Sequence, residues 1–537
     1  MKALSRRTMA VVAATALATP LLLGAAPGHG HGHGHGPGHG HKPSTPGKDA
    51  AALARELVKE SSAHDAHRHL RKLQSIADRN DGHRAAGSPG HEASAAYIEK
   101  LMKKAGYKVT RQTFSFTYTE TLAQKLSVVE PGQRDVAVHA MTYTASTPEG
   151  GLQAALVDTP ADADSTPGCT AADYSAEVEG AVALIERGGC SFAEKQAAAA
   201  EAGAVGAIIY NNTEGALSGT LGEAGAGRVP TGGVTQAEGK ALAADAAKGA
   251  KVSLEIRQLQ EERETDNLLA ETRGGSADRT VMLGAHLDSV TEGAGINDNG
   301  SGSAGLVEVA LNLADATNQN RPGKHGKAKE PRNKVRFAWW SAEENGLLGS
   351  EHYVGKLSEK QRGQIPAYLN FDMIASPNAA QFVFDGDDSD GVGEGPGPEG
   401  SAQIERDITA FLDRQGKPHE GTDFDGRSDY GPFVEAGIPA GGTFTGAEGL
   451  KTKEQAKRYG GTAGEAYDPC YHSACDDLKN ISMKAFDTNI DVIAHAVGTY
   501  AHDLSSLGKP VKQKAAPEAQ RHQGEGQAQG HHHGLTE

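Results

Sequence analysis

The chain has 537 residues and 69 acidic against 53 basic side chains, for a net charge of -16. That length exceeds one ordinary domain and predicts two or three. The acidic balance argues for solubility and against a nucleic-acid partner.

The N-terminus has the layout of an export signal. Lys2, Arg6 and Arg7 precede a mostly apolar run from Met9 to Leu23, and small residues follow through Ala26. A basic segment, an apolar segment and a small-residue cleavage region define a secretory signal over residues 1–26. Ser5-Arg6-Arg7 gives it a twin-arginine character. A membrane anchor is the rival reading, but Pro20 interrupts the run, and a span needs about 20 apolar residues. We therefore expect a secreted, extracellular monomer with no membrane attachment after export. Residues 27–50 alternate histidine and glycine, from His29 to His41, and are expected to be disordered. The same is expected of the polar tail 505–537.

From Ala51 to Ala105 the apolar spacing is helical, with Leu70, Leu73 and Ile76 on one face. Gly106 ends the second of these helices, and a strand is predicted over Tyr107–Phe116. Residues 118–262 change character. Short β-like runs at 126–129, 154–157, 181–185, 205–210 and 252–256 are broken by Gly, Pro and Asp, with one helix at 192–202. This stretch lacks a group of ligating side chains and is expected to be an inserted module. The main domain is then split into 51–117 and 263–504. In its second part, predicted strands near 280–287, 334–341, 366–374, 381–385 and 438–444 alternate with helices near 301–316, 344–357, 400–415 and 483–504. That order predicts an α/β fold, a mixed, mostly parallel central sheet flanked by helices. Ligands in such sheets sit beyond the carboxyl ends of the strands.

Several acidic and histidine residues fall at those ends. His286 and Asp288 are two apart on an extended segment, and Asp298 follows in a Gly/Asn-rich turn. One strand ends in Glu343-Glu344, and another carries Asp372 between Phe371 and Met373, where an unpaired carboxylate is costly. His472 lies in the short segment between Cys470 and Cys475. Imidazole with carboxylate suits zinc, and the number of groups suits two ions sharing a carboxylate. The bland reading of each piece is a polar loop, or an acidic helix N-terminus. The four cysteines, Cys169, Cys190, Cys470 and Cys475, allow three pairings, of which the two local ones are the economical choice in an exported chain. A thiolate metal site is the alternative.

His286-x-Asp288, Asp298, Glu343-Glu344, Asp372 and His472, with the segments FDGRSDYGPF (424–433), GIPAGGTFTGAEG (437–449) and DPCYHSACD (468–476), resemble the secreted di-zinc aminopeptidases, the Streptomyces enzyme among them. The likeness covers roughly residues 60–117 and 264–504. GAVALIERGGCSFAEKQAAAAEAGAVGAIIYNN (180–212) resembles a protease-associated (PA) domain, which supports a Cys169–Cys190 bridge. The resemblance implies that His286 and Asp372 bind one zinc, Glu344 and His472 the other, and Asp298 both. It implies that Asp288 orients His286, that Glu343 is the general base, and that the Tyr471 hydroxyl helps stabilise the oxyanion. It implies peptide substrates with apolar first residues such as leucine. Arg427 is expected at the substrate end of the site. A calcium site is a further expectation, at Asp487 and Asp491 on one helix face with Glu60 as a third group. A related carboxypeptidase, needing a cationic anchor for the substrate carboxylate, and a non-catalytic receptor-like scaffold are the competing readings.

Overall fold

The computed structural model describes residues 45–159, 166–319, 328–393 and 395–509. The expected export signal, most of the His/Gly tract, residues 320–327 and the tail beyond Lys509 lie outside the described residues. The stretch 27–50 needs one correction. A helix, Pro46–Glu60, starts inside it. Proline is tolerated in a first helical turn, and Ala50, Leu53, Ala54 and Leu57 are buried as the helix packs along Met483–Tyr500. The low-complexity run masked where this apolar face begins.

The main domain is organised on four neighbouring parallel strands, Ala440–Phe444, Ala367–Phe371, Ser276–His286 and Asn333–Trp340. Register aligns their ends: His286 faces Trp340, and Phe371 faces Thr443. Val281, Leu283, Phe337, Trp339, Leu369 and Phe371 are buried in one core beneath the helices Gly300–Thr317 and Met483–Tyr500. The opposite face buries Met282, Trp340 and Tyr368, with Tyr368 stacked on Phe433 at 3.7 Å. Strands buried on both faces read as near-continuous apolar runs, as these do. The helix Gly300–Thr317 starts hard against a strand end. A Cβ on Gly302 would lie 2.0 Å from the Phe371 carbonyl oxygen, and Asn299 caps the helix by accepting from the Gly302 amide at 2.9 Å.

The inserted module hangs on a long two-stranded ribbon. Lys108–Glu130 pairs antiparallel with Lys251–Glu271 over nearly its whole length. The expected junctions at 117/118 and 262/263 therefore fall inside continuous strands. One end of Lys251–Glu271 pairs with Asn333–Trp340 and the other with Leu152–Thr159. Beyond it, Leu152–Thr159, Val182–Glu186, Gly206–Tyr210 and Thr231–Val234 form a second parallel set. The ribbon also meets the main domain at its root, where Phe114, Phe116 and Tyr118 pack with Ala342. Both local disulfides are formed, Cys169–Cys190 and Cys470–Cys475.

Candidate metal centre

The site lies where the ends of the parallel strands meet. His286 is the last residue of its strand and is buried. Its Nε2 faces Asp298 Oδ1 at 3.1 Å and Asp372 Oδ1 at 3.3 Å, with Glu343 Oε2 at 3.8 Å. His472 Nε2 faces Glu344 Oε2 at 3.0 Å and Asp298 Oδ2 at 3.3 Å. The two oxygens of Asp298 therefore face two different histidines. His286 with Asp298 and Glu344, and His286 with Glu343 and Asp372, each bring three candidate ligand atoms within 4.8 Å of one another.

The surrounding contacts aim these groups. Asp288 is fully buried, and its two oxygens accept from the amides of Glu343 (3.4 Å) and Glu344 (3.3 Å). Its Oδ1 lies 3.7 Å from His286 Nδ1, whose nearer neighbour is the Asp288 carbonyl at 3.1 Å. Asp288 thus holds the Glu-Glu turn as well as flanking the ring. That turn is not part of a helix, since the helix expected over 344–357 begins at Leu348. The acidic helix N-terminus is accordingly replaced by a loop anchored on a carboxylate. Asp372 Oδ2 accepts from Ser428 Oγ at 2.6 Å.

The electrostatics are those of a cation site. Burial, with Asp372, Glu344 and Asp429 nearby, holds Glu343 well above the ordinary carboxylate range against the pull of His286. Burial and Asp298 raise Glu344 to about 7, against the pull of His472. Burial opposes the charged form of His472, yet Glu344 and Asp298 raise its ring to about 11. Three buried polar atoms facing this space, His286 Nε2, Glu344 Oε1 and Asp372 Oδ1, have no hydrogen-bond partner. Buried polar atoms are otherwise paired almost without exception. An imidazole–carboxylate donor set that draws protons and leaves such atoms unpaired fits divalent zinc.

Some contributors carry no visible signal in the sequence. Arg84 is fully buried, and its guanidinium donates to the carbonyls of Leu287, Ala294 (2.9 Å) and Gly295 (2.6 Å). Burial lowers it to about 10, so it remains the cation behind the acidic cluster at neutral pH. A single arginine between two turns gives no pattern that would reveal this. Asp429, also fully buried, is pushed up to about 8 by burial. It lies two residues after Arg427 in the segment 424–433. Arg427 Nη1 pairs with Glu448 at 2.9 Å, and its Nη2 donates to the Tyr471 hydroxyl oxygen at 3.3 Å.

Asp487 and Asp491, the two aspartates expected to bind calcium, are not part of this group. Asp487 accepts from the Ala63 amide at 3.0 Å and so occupies the start of the helix Ala63–Ala77. Among the described residues, Asp487 and Asp491 form no group of three ligating histidine, cysteine or carboxylate side chains with Glu60. The periodicity that put both aspartates on one face is equally served by helix packing.

Residues 267–497 match the family model for peptidase family M28, and residues 152–242 match the PA domain. An aminopeptidase of Pseudomonas aeruginosa is 46% identical over 444 residues, covering 79% of this chain and 78% of that protein. Leucine aminopeptidase 2 of Trichophyton rubrum is 43% identical over 450 residues, covering 83% and 85%. The structure of BSAP, a zinc aminopeptidase from Bacillus subtilis, superposes with a TM-score of 0.58 at 27% identity, covering 81% of this chain and 94% of that one. These likenesses and the site define a peptidase, a hydrolytic enzyme on an α/β scaffold with a PA domain inserted. The chain belongs to peptidase family M28.

Proposed function

We propose that this chain is an exported, zinc-dependent aminopeptidase that hydrolyses the first peptide bond of peptides, favouring apolar first residues such as leucine. The observation that carries the reading is Asp298, whose two oxygens face His286 and His472 separately. In this reading His286 and Asp372 hold one zinc, Glu344 and His472 hold the second, and Asp298 is shared. Zinc held there supplies a Lewis acid that acidifies water and polarises the scissile carbonyl.

The chain's own groups do the rest. Glu343, in the turn that Asp288 grips through both amides, takes the proton of the attacking water and delivers it to the leaving amine. The Tyr471 hydroxyl oxygen already accepts from Arg427. Its own hydrogen is therefore free to be donated to the developing oxyanion. Glu343 and Asp372 present negative charge to the substrate's α-ammonium, which restricts cleavage to the first residue. The carboxypeptidase alternative needs a cation for the substrate carboxylate. The candidate, Arg427, is engaged by Glu448 and Tyr471.

Two disulfides support export, and no described helix is long and apolar enough to cross a membrane. Export by the segment 1–26, and a division into a main domain (51–117 and 263–504) and an insert (118–262), belong to the same proposal. Its test is a panel of aminoacyl-anilides assayed before chelation, after chelation and after zinc re-addition, beside amino-blocked and carboxyl-blocked peptides. We expect cleavage of leucyl substrates, loss on chelation, recovery with zinc, and no turnover of amino-blocked peptides. Activity that survives complete chelation would overturn it.

A further inference from the structure

The loop from Leu287 to Asp298 is gripped through its backbone by Arg84 and, at its Asp298 end, by the segment that carries His472. The amides of Asn297 and Asp298 donate to Asp476 Oδ1 (2.8 Å) and Oδ2 (3.0 Å), and the Ile296 amide donates to the Asp476 carbonyl at 3.3 Å. Asp476 is itself buried and held by Asn480 Nδ2, which donates to its Oδ1 at 3.1 Å and to both oxygens of Asp468. Asp468 in turn accepts from the Asn297 side chain at 2.6 Å. The two loops are also in direct contact, since a Cβ on Gly293 would lie 2.3 Å from the Ser473 carbonyl oxygen. The arrangement repeats that of Asp288, whose carboxylate accepts the consecutive amides of Glu343 and Glu344.

We propose that Asp476 is a positioning residue for the shared carboxylate Asp298, so that both metal sites depend on it and not only the one that includes His472. The physical reason is the number of acceptors. A carboxylate meets two adjacent amides with two oxygens, whereas an asparagine offers one oxygen and turns an N–H₂ toward the second amide. The orphaned amide and the repulsion rotate the Asp298 backbone, and both of its oxygens move together. The inference rests on the two-zinc reading above.

The test compares zinc binding by wild type, His472→Ala and Asp476→Asn in competition with a chromogenic chelator, on the full chain. Wild type is expected to take up two equivalents, and His472→Ala to keep one of them tight. Asp476→Asn is expected to weaken both by roughly 10- to 100-fold, the usual effect of losing a group that orients a ligand. Weakening of one equivalent only, or of neither, overturns the inference while the two-zinc reading stands. Fewer than two equivalents on wild type overturns that reading and the inference with it. If Asp476→Asn does not fold, Asn480→Ala removes one hydrogen bond to Asp476 and leaves the carboxylate. It should weaken both equivalents in smaller measure, and unchanged binding there counts against the inference equally.

Discussion

The four parallel strands of the main domain end in a cluster of histidine and carboxylate groups, and the parallel strands of the inserted module, among the described residues, do not. In the main domain the ends carry His286, Glu343-Glu344 and Asp372, with Asp298 and His472 brought in by loops. In the inserted module the corresponding ends carry Glu186-Arg187 and Tyr210-Asn211, with Arg187 donating to Asn211 at 3.3 Å. There, among the described residues, no group of three ligating side chains assembles. Parallel strand ends thus provide a place for chemistry without specifying any, and function resides in the few residues standing there. The two disulfides close loops of different size: Cys470–Cys475, five residues apart, encloses His472, whereas Cys169–Cys190, 21 residues apart, lies within the stretch that matches the PA domain.

The contrast can be broken by mutation. The largest effect is expected for Glu343→Ala, which should lower kcat by about 10²- to 10⁴-fold while zinc content, measured by atomic absorption, stays at the wild-type level. Normal turnover by that variant would mean that the base lies elsewhere. Next comes opening the loop around His472. Cys470→Ser with Cys475→Ser should weaken zinc retention by roughly tenfold, read as the chelator concentration that halves activity.

A third test uses pH. Glu344 is raised to about 7 and His472 to about 11 in the metal-free site. The folded chain therefore binds more protons than the unfolded chain as pH rises from about 4.5 to 7 at the carboxyl, and from about 6.5 to 11 at the ring. Both groups make the metal-free protein lose stability with rising pH, and zinc replaces the protons they hold. The difference in Tm between zinc-loaded and chelated protein should accordingly widen from pH 5 to pH 9. A constant difference would mean that neither group binds metal. The smallest effect is expected in the insert. Cys169→Ser with Cys190→Ser should leave kcat/KM on leucyl-anilide unchanged, and a large loss would show that the insert takes part in the site.

Much of the site is legible along the chain because its candidate ligands sit at the ends of apolar runs, where an Asp or His is conspicuous. His286, Asp372 and the Glu343-Glu344 pair all have that form. The residues that hold them are not legible for an equally physical reason. Arg84 and Asp476 act on backbone amides and carbonyls far away in sequence, and such partners leave no periodicity or spacing. Asp288 shows both sides: its proximity to His286 is visible locally, while its grip on the Glu343 and Glu344 amides exists only across strands. Arg427, expected at the substrate end of the site, is joined to Glu448 and to the Tyr471 hydroxyl, contacts that its position in the sequence does not reveal.

By itself, the order of apolar runs, turns and charged strand ends determined an α/β domain with an inserted module, and it marked out the residues suited to zinc. Local spacing encodes those features, because strand and helix periodicities and short-range loops are properties of neighbouring residues. The tertiary structure decided that one ribbon is shared by both modules, that the Glu-Glu pair lies in a loop, and that Asp298 faces both histidines. These depend on register and on contacts between segments up to 179 residues apart, which burial of a common core brings together and no local pattern encodes.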